Sequence, residues 1–412
     1  MLNKKSKKIL FYTLITVGFG FIQSLLVIRT LDLTDFGKVT IVLAFILFLQ
    51  NIIGIRTGEF ILKYIPNIEN KMQVFPTILK IMLIDLKISI ALLLTVLLLG
   101  YGFGSIFNLD QKILFILSFI ILFSTSFMIF ESVFVILNNM ILQFKIKAAY
   151  SFISLIVVSS LTYIYGLEGY LIALLLTRLG KTVVYGIYAT KELINNSIPL
   201  QLKEDAVKLE NVWNFSKHSF ISSTFKSGIG GMDVLLLSIA LQPSQIAIYS
   251  VAKKAAVIPG TFLGSLWKSI QPQILEYSRK QDFNKLFQQI NKFTMLFAGI
   301  LLIIIFPLIT FSGDLLIFLY GQKYEPSTGI FIIFFIGYWL ANTFAPYSRT
   351  YYLAQNKMHM MTYLNGFVFF NILIFGYIFK DSIRIMSLIT TASLVCTSLF
   401  VYIEILRKRI NK

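Results

Sequence analysis

The sequence predicts an all-α, polytopic membrane protein with about 12 transmembrane helices in two six-helix lobes related as a parallel repeat. Hydrophobic residues make up 57% of the 412 residues and charged residues only 14%, whereas soluble domains carry roughly 25% charged residues. Apolar runs of about 20 residues, the length that spans a bilayer, recur along the whole chain. Features of the first half also recur in the second half. This composition excludes a water-soluble enzyme.

Runs of apolar residues define each predicted helix in turn. We place the 12 helices at residues 9–28, 39–58, 77–99, 113–136, 148–165, 168–188, 216–239, 245–268, 293–311, 328–346, 361–379 and 383–405. The predicted outward loops are 29–38, 100–112, 166–167, 240–244, 312–327 and 380–382. All of these loops are too short to fold as a domain.

Basic residues give the chain a formal net charge of +18. They concentrate at both termini and in the loops of one side, while the opposite side holds six, namely Arg29, Lys38, Lys112, Lys323, Lys380 and Arg384. Cytoplasmic loops are the ones enriched in Lys and Arg. This asymmetry predicts cytoplasmic termini, and it explains the positive charge without nucleic acid as a partner.

The longest predicted connection divides the chain. It covers 189–215, is charged and contains the turn-forming stretch Asn195-Asn196-Ser197-Ile198-Pro199. We therefore expect an N-terminal lobe at 1–188 with helices 1–6, a cytoplasmic linker at 189–215 and a C-terminal lobe at 216–412 with helices 7–12.

A polar stripe appears in the first helix of each predicted lobe. Thr13, Thr16, Gly20 and Gln23 in helix 1, and Ser223, Lys226, Gly230 and Asp233 in helix 7, have identical spacing. This spacing keeps the side chains on one helical face. One interpretation is a polar pathway between two lobes that alternate in access; the other is helix packing by small and polar residues.

Charged residues within apolar spans are the candidate functional groups, because intramembrane charges usually face an interior or a wet cavity. Cations occur at Arg56, Lys226, Lys253 and Lys254, and carboxylates at Asp85, Glu131 and Asp233. The lysines favour an anionic solute. The carboxylates are candidates for ion coupling, since a desolvated carboxylate can exchange a proton; structural pairing is the alternative for Asp85 and Glu131.

The remaining reactive residues predict neither a metal centre nor a cofactor site. His218, His359 and Cys396 form no pattern with metal-ligand spacing. A phosphate-cradling glycine motif after a strand is also lacking, so ATP hydrolysis is not supported. We expect no catalytic residues.

Four stretches resemble the Wzx-type flippases of bacterial polysaccharide repeat units, within the superfamily of multidrug, oligosaccharidyl-lipid and polysaccharide exporters. They are Leu33-Thr34-Asp35-Phe36-Gly37-Lys38, the run from Gly54 to Pro66, the run from Ile248 to Lys254 continuing to Gln271-Pro272, and Phe318-Leu319-Tyr320-Gly321-Gln322-Lys323-Tyr324. The resemblance covers nearly the whole chain as a pattern of hydrophobicity and turns. Ala354-Gln355-Asn356-Lys357 departs from it, since the family often has glycine before the basic residue.

The resemblance implies a flippase that moves an undecaprenyl-diphosphate-linked oligosaccharide from the cytoplasmic to the periplasmic or outer leaflet of a bacterial cytoplasmic membrane. It implies two lobes around a cationic cavity, lined by helices 1, 2, 7 and 8. Lys226, Lys253, Lys254 and Arg56 would contact the diphosphate, and Thr16, Gln23 and Ser223 the sugar. Asp233, Glu131 and Asp85 would couple to ions, and a polysaccharide polymerase is a further expected partner.

Two other function classes would also fit a polytopic membrane protein. A drug or cation antiporter of the same superfamily should concentrate acidic residues in its lobes, whereas these spans are rich in Lys and Arg. A membrane polysaccharide polymerase or ligase would resemble its relatives in having a large outward loop with arginines, and the longest predicted outward loop is 312–327. A flippase remains the main expectation.

Overall fold

The computed structural model of the chain describes residues 4–53, 61, 65, 68, 70–107, 109–123, 126–137, 139–200, 210–269, 271–344, 347–355 and 357–410. The regular elements in these ranges are all helices. By length and composition, seven of the helices searched there can cross a membrane, and further apolar helices accompany them. These observations confirm the predicted all-α membrane class.

The contacts divide the chain into two compact units, Met1–Phe220 and Ile221–Lys412. The first unit contains α1 (Lys4–Thr30), α2 (Leu33–Ile53), α3 (Val74–Phe107), α4 (Gln111–Leu122), α5 (Ser126–Ile136) and α6 (Met140–Asn195). Helix α1 packs mainly along α6, and α3 packs against α4.

The second unit begins inside α7 (Glu210–Ala240). It continues with α8 (Pro243–Ser269), α9 (Gln271–Arg279), α10 (Phe283–Tyr320), α11 (Thr328–Phe344), α12 (Ser348–Ala354), α13 (Met358–Ile378) and α14 (Ile383–Ile410). Helix α11 packs between α8 and α14.

The first helical hairpin of each unit has the same turn. The Leu31 amide donates to the Val27 carbonyl at 3.1 Å, and the Leu241 amide, 210 residues later, donates to the Leu237 carbonyl at 2.9 Å. The next helix then begins at Leu33 in one unit and at Pro243 in the other. Burial repeats as well, since Val39 and Tyr249 are both fully buried. The sequence repeat is therefore a structural repeat of the α1–α2 and α7–α8 hairpins.

Several predicted boundaries differ from the structure. Predicted helices 5 and 6 both lie within α6, which consists of two helical segments that meet at Gly166, inside the predicted loop 166–167; Gly166 departs from helical geometry with φ +58°. A glycine accepts this backbone conformation without a steric penalty, so the chain reverses with almost no loop. Predicted helix 4 corresponds to two helices, α4 and α5.

Two predicted outward loops are shorter than expected. Helix α10 runs to Tyr320 and a short 3-10 helix occupies Gln322–Ser327, so most of 312–327 is helical. Helix α2 already starts at Leu33, which places Asp35 and Lys38 in its first turns. Helices extend past the apolar runs because backbone hydrogen bonding continues into polar residues that the hydropathy criterion leaves out.

Helices also occupy both ends of the predicted linker. Helix α6 continues to Asn195, and α7 begins at Glu210. At the end of α6, the Ser197 amide donates to the Ile194 carbonyl at 2.9 Å and the Ile198 amide to the Leu193 carbonyl at 3.0 Å. This is a Schellman cap. Buried Ile198 joins Leu193 in the apolar core of the first unit, so the chain leaves α6 in a fixed direction.

Candidate functional site

The α7–α8 hairpin of the second unit brings the strongest candidate residues together. Gly230 lies 11 residues before Leu241, and Lys253 lies 11 residues after Gln242, on the two sides of the turn. Positions equally far from the turn lie at the same level of an antiparallel hairpin. The Lys253 ammonium accordingly donates to the Gly230 carbonyl at 3.1 Å. The hairpin register therefore places Lys253 against the polar stripe of α7.

Asp233 and Lys253 form a buried ion pair. Lys253 Nζ lies 2.6 Å from Asp233 Oδ2 and 2.9 Å from Oδ1, so both carboxylate oxygens accept from it. The Asp233 side chain is 0% exposed and that of Lys253 is 14% exposed. Removing two charges from water is costly unless they are paired and hydrogen-bonded. Here each charge meets its partner at close range.

Two further donors complete the Asp233 environment. The Tyr249 hydroxyl donates to Oδ2 at 2.5 Å, and the Val234 amide to Oδ1 at 2.9 Å. Tyr249 is fully buried, and its ring meets Phe334 edge-on with centroids 5.2 Å apart. An aromatic wall and three donors thus fix the carboxylate.

Tyr249 is not among the candidate residues predicted from the sequence, although its position in the hairpin indicates a place beside Asp233. It precedes Lys253 by one helical turn, and α8 residues spaced by four share a face. Since it also lies close to the level of Asp233 in the hairpin, the turn at Leu241–Gln242 was sufficient to place it there.

Two further lysines, Lys226 and Lys254, lie in the same hairpin as this pair. Lys254 follows Lys253 in α8 and is half-buried, and Lys226 is exposed. A rotation of about 100° separates consecutive helical residues, so Lys254 leaves the helix in another direction than Lys253. Lys226 precedes Asp233 by seven residues, which puts it on the same face of α7 about 10 Å away. With Asp233 neutralising one lysine, the hairpin carries excess cationic charge.

The equivalent positions of the first unit are neutral. Gln23 corresponds to Asp233 in the repeat, and its Oε1 accepts from the Ser154 hydroxyl of α6 at 3.1 Å. Thr16 corresponds to Lys226, and its hydroxyl donates to the Tyr12 carbonyl of its own helix at 2.9 Å. Both side chains are half-buried. Of the two repeated hairpins, only α7–α8 therefore carries charged residues at these stripe positions.

The two remaining carboxylate candidates lie in the first unit. Glu131 of α5 has one carboxylate oxygen 3.9 Å from Lys147 Nζ and also 3.9 Å from Lys181 Nζ. Asp85 of α3 is only 2% exposed. The structure thus gives Glu131 two cationic neighbours and buries Asp85 deeply.

Two predicted binding residues lie outside what the structure describes. Arg56 belongs to the undescribed stretch 54–60, and for Ser223 only the backbone, within α7, is described. Their assignment to the diphosphate and the sugar remains a prediction.

The hairpin holds a buried carboxylate whose two oxygens both accept from the Lys253 ammonium, which is itself 14% exposed. Among the residues that the structure describes, no group of three His, Cys, Asp or Glu side chains could hold a metal ion.

Sequence comparison relates the chain to proteins of glycan assembly. Residues 3–278 match the family described as polysaccharide biosynthesis protein. A probable low-salt glycan biosynthesis flippase, Agl15 of Haloferax volcanii, is 25% identical over 141 residues, which are 34% of this chain. The match covers 29% of the length of that relative.

Comparison with solved structures relates the whole fold to transporters. The lipid II flippase MurJ in an inward closed conformation matches with a TM-score of 0.69 at 15% identity, covering 96% of this chain and 87% of that one. The Vibrio cholerae MATE transporter VcmN in its bent form matches with a TM-score of 0.61 at 12% identity, covering 98% and 96%. At these identities the likeness establishes the fold.

The family match covers well over half of the chain, and it agrees with the motifs around α2 and α8 and with a flippase and exporter fold. The chain therefore belongs to the polysaccharide biosynthesis protein family.

Proposed function

We propose that this protein is a flippase that translocates undecaprenyl-diphosphate-linked oligosaccharide repeat units, of O-antigen, capsule or exopolysaccharide, by alternating access. The observation that carries the proposal is the cationic α7–α8 hairpin with its buried Asp233–Lys253 pair, in a chain of a polysaccharide biosynthesis family. Movement runs from the cytoplasmic to the periplasmic or outer leaflet of a bacterial cytoplasmic membrane. Both termini lie in the cytoplasm.

A diphosphate cannot cross hydrocarbon unassisted because its negative charge would be desolvated without compensation. Lys226 and Lys254 supply compensating charge, and hydrogen bonds from ammonium groups to phosphate are among the stronger ones. Arg56 is assigned the same role in the first unit. The polyprenyl chain stays in the lipid throughout.

Lys253 is proposed to alternate between Asp233 and the diphosphate. Binding must be reversible, and an internal carboxylate that competes for the same ammonium weakens the bound state. Neutralising Asp233 by an ion would free Lys253, which makes Asp233 the proposed coupling residue. Asp85 and Glu131 are the proposed coupling residues of the first unit.

The oligosaccharide requires polar contacts rather than charge. Thr16, Gln23 and Ser223 are assigned to it, since hydroxyl and amide groups pair with sugar hydroxyls. A polysaccharide polymerase that consumes the translocated unit is the proposed downstream partner. No enzymatic step on the sugar is assigned to this chain.

A drug or cation antiporter is the second candidate, and the match to VcmN favours it. In an antiporter of that kind, a buried carboxylate would bind the cation. Here the Lys253 ammonium already occupies both oxygens of Asp233, which favours an anionic substrate over a cationic one. A polymerase or ligase activity has no comparable support.

Transport from defined liposomes tests the proposal. The purified chain is reconstituted with a fluorescent undecaprenyl-diphosphate-linked oligosaccharide, and an impermeant quencher reports the outer leaflet. We expect flipping that Lys226→Ala and Lys254→Ala each abolish while the protein stays monodisperse; the exposed residue Lys191 serves as a matched Lys→Ala control. Ethidium efflux without lipid flipping would instead identify the antiporter.

A further inference from the structure

A second charged cluster lies wholly within the first unit and away from the α7–α8 hairpin. It consists of Glu131 on α5 with Lys147, Arg178 and Lys181 on α6, and we refer to it as the Glu131 cluster. Lys147 and Lys181 are the cationic neighbours of Glu131, and Arg178 lies close enough to Lys181 to interact with it, so the cluster carries a net positive charge.

The contacts within this cluster are long. Glu131 Oε1 lies 3.9 Å from each of the two lysine nitrogens, whereas charge-assisted hydrogen bonds measure about 2.7–2.9 Å. Glu131 Oε1 is buried and accepts no hydrogen bond of standard geometry from the described residues, while the Tyr185 hydroxyl lies beside the Glu131 carboxylate. The Asp233–Lys253 contact of 2.6 Å shows what a closed pair looks like in this protein. The two lysines of the Glu131 cluster are therefore not held in a close ion pair with Glu131.

The backbone around the cluster holds the two lysines at a fixed separation. The Tyr150 hydroxyl donates to the Thr177 carbonyl at 2.6 Å and ties the two halves of α6 together. A Cβ atom on Gly180 would lie 2.7 Å from that hydroxyl, so glycine permits the close approach. The Asn139 amide closes the base of the hairpin by donating to Glu192 Oε2 at 2.9 Å. The cations are thus positioned before any ligand arrives.

The position along α6 sets the depth of the cluster. Lys147 precedes Gly166 by 19 residues and Lys181 follows it by 15, which at 1.5 Å per residue places both about 22–28 Å from the Gly166 turn. The hydrocarbon core is about 30 Å thick. Since the positive-inside prediction puts Gly166 outside, the cluster lies near the cytoplasmic headgroup region.

The side chains remain reachable. The exposed fractions are 39% for Lys147 and 20% for Lys181. Lys181 Nζ also lies over the Tyr185 ring, 5.5 Å from its centre, within the range of a cation–π contact. A cationic, preorganised and partly exposed site at headgroup depth has the chemistry of a phosphate receptor.

We propose that Lys147, Lys181 and Arg178 bind the phosphate of a lipid headgroup in the cytoplasmic leaflet, and that Glu131 is an internal counterion which this phosphate displaces. As an extension of the proposed function, the headgroup is that of the polyprenyl diphosphate substrate at its point of entry. The shared chemistry with phospholipid headgroups makes phosphatidylglycerol the relevant competitor.

Equilibrium binding to the full chain in phosphatidylcholine nanodiscs tests this proposal. Undecaprenyl diphosphate is titrated in one arm and phosphatidylglycerol in a second. Lys147→Gln and Lys181→Gln should each weaken binding of undecaprenyl diphosphate about tenfold, as expected for the loss of one charged hydrogen bond. The matched control is Lys145→Gln, because Lys145 is an exposed lysine on the same helix two residues away.

Glu131→Gln gives the decisive result. Removing the counterion should tighten binding several-fold, while a purely structural carboxylate would give unchanged or weaker binding when replaced. Monodisperse elution shows whether Glu131→Gln folds. If it does not fold, Arg178→Gln is titrated instead, and because it removes a proposed phosphate contact it should weaken binding about tenfold, as the lysine variants do. Lysine variants that bind like Lys145→Gln, or a Glu131→Gln protein that binds no more tightly, would overturn the proposal.

The two lipid arms identify the source of the phosphate. Preference for undecaprenyl diphosphate supports an entry site for substrate, and equal binding of phosphatidylglycerol supports the phosphate site but assigns it to bilayer lipid. Because binding is read without transport, a failed flipping assay would leave this readout intact. The two proposals can therefore fail separately.

Discussion

Lys253 on α8 places its ammonium 2.6 Å from Asp233 Oδ2 on α7, and Asp233 itself is fully buried. The two residues are 20 positions apart in sequence, and the turn at Leu241–Gln242 brings them together. This contact pairs the buried carboxylate of α7 with a cation of α8.

The Asp233–Lys253 pair should show strong energetic coupling. Lys253→Met leaves the carboxylate without its cation, and breaking a buried pair in this way costs about 3–5 kcal/mol. The Asp233→Asn/Lys253→Met double variant removes both charges and should lose less than the sum of the single variants. Thermal unfolding in detergent, followed by size-exclusion elution, measures the cycle. Additive losses would show that the two charges do not stabilise each other.

Tyr249 should contribute through its hydroxyl more than through its ring. Tyr249→Phe keeps the edge contact with Phe334 but removes the donor to Asp233. Hydrogen bonds to charged groups contribute about 1.5–3 kcal/mol, so we expect a loss in that range in the same unfolding assay. If Tyr249→Phe unfolds at the same temperature as the wild-type protein, the Tyr249 hydroxyl does not stabilise the Asp233 carboxylate.

Gly337 should be intolerant of a side chain. A Cβ there would lie 2.3 Å from Thr391 Cβ, where α11 packs against α14, and overpacking of this kind costs about 1–3 kcal/mol. Gly299 in α10 is the matched control, because its Cβ would meet nothing within 4 Å. Gly299→Ala should stabilise by about 0.5–1 kcal/mol through helix propensity. Equal effects of the two Ala substitutions on the melting temperature would argue against tight α11–α14 packing.

Replacing Ser197 with glycine should stabilise the folded protein. It has φ +57° in the Schellman cap of α6, and a left-handed conformation costs a residue with a side chain about 1–2 kcal/mol. Ser197→Gly should therefore raise the melting temperature of the detergent-purified chain. Asn195→Gly, two residues earlier and still helical, should lower it. A drop with Ser197→Gly would contradict the cap geometry.

The structural repeat was predictable because turns leave local signals. The Leu31 and Leu241 turns are 210 residues apart, the same interval that separates the polar stripes beginning at Thr13 and Ser223. The extent of the helices was not predictable from hydropathy, since α10 and α6 continue well past their apolar runs. The break between predicted helices 5 and 6 lies at Gly166, within the predicted loop 166–167, but the left-handed backbone conformation that makes this connection so short is not visible in the composition.

The candidate residues were identified as a set but not as pairs. Asp233 and Lys253 were assigned separate roles from the sequence, and the contact between them depends on the register of two helices. Tyr249 and the arrangement of Glu131 between Lys147 and Lys181 depend on the same kind of information. Helical spacing specifies which residues share a face but not which face meets a neighbour.

The sequence by itself determined that this chain lies in a membrane and that it repeats a helical hairpin, because hydropathy and turn chemistry are local properties. It also determined which charged residues lie within predicted membrane spans, since a Lys or Asp within an apolar run can be identified without a structure. Only the tertiary structure decided that Lys253 lies 2.6 Å from Asp233 while Glu131 lies 3.9 Å from each of two lysines. Those outcomes depend on differences of about 1 Å in the distances between atoms on different helices, and such differences are set by packing.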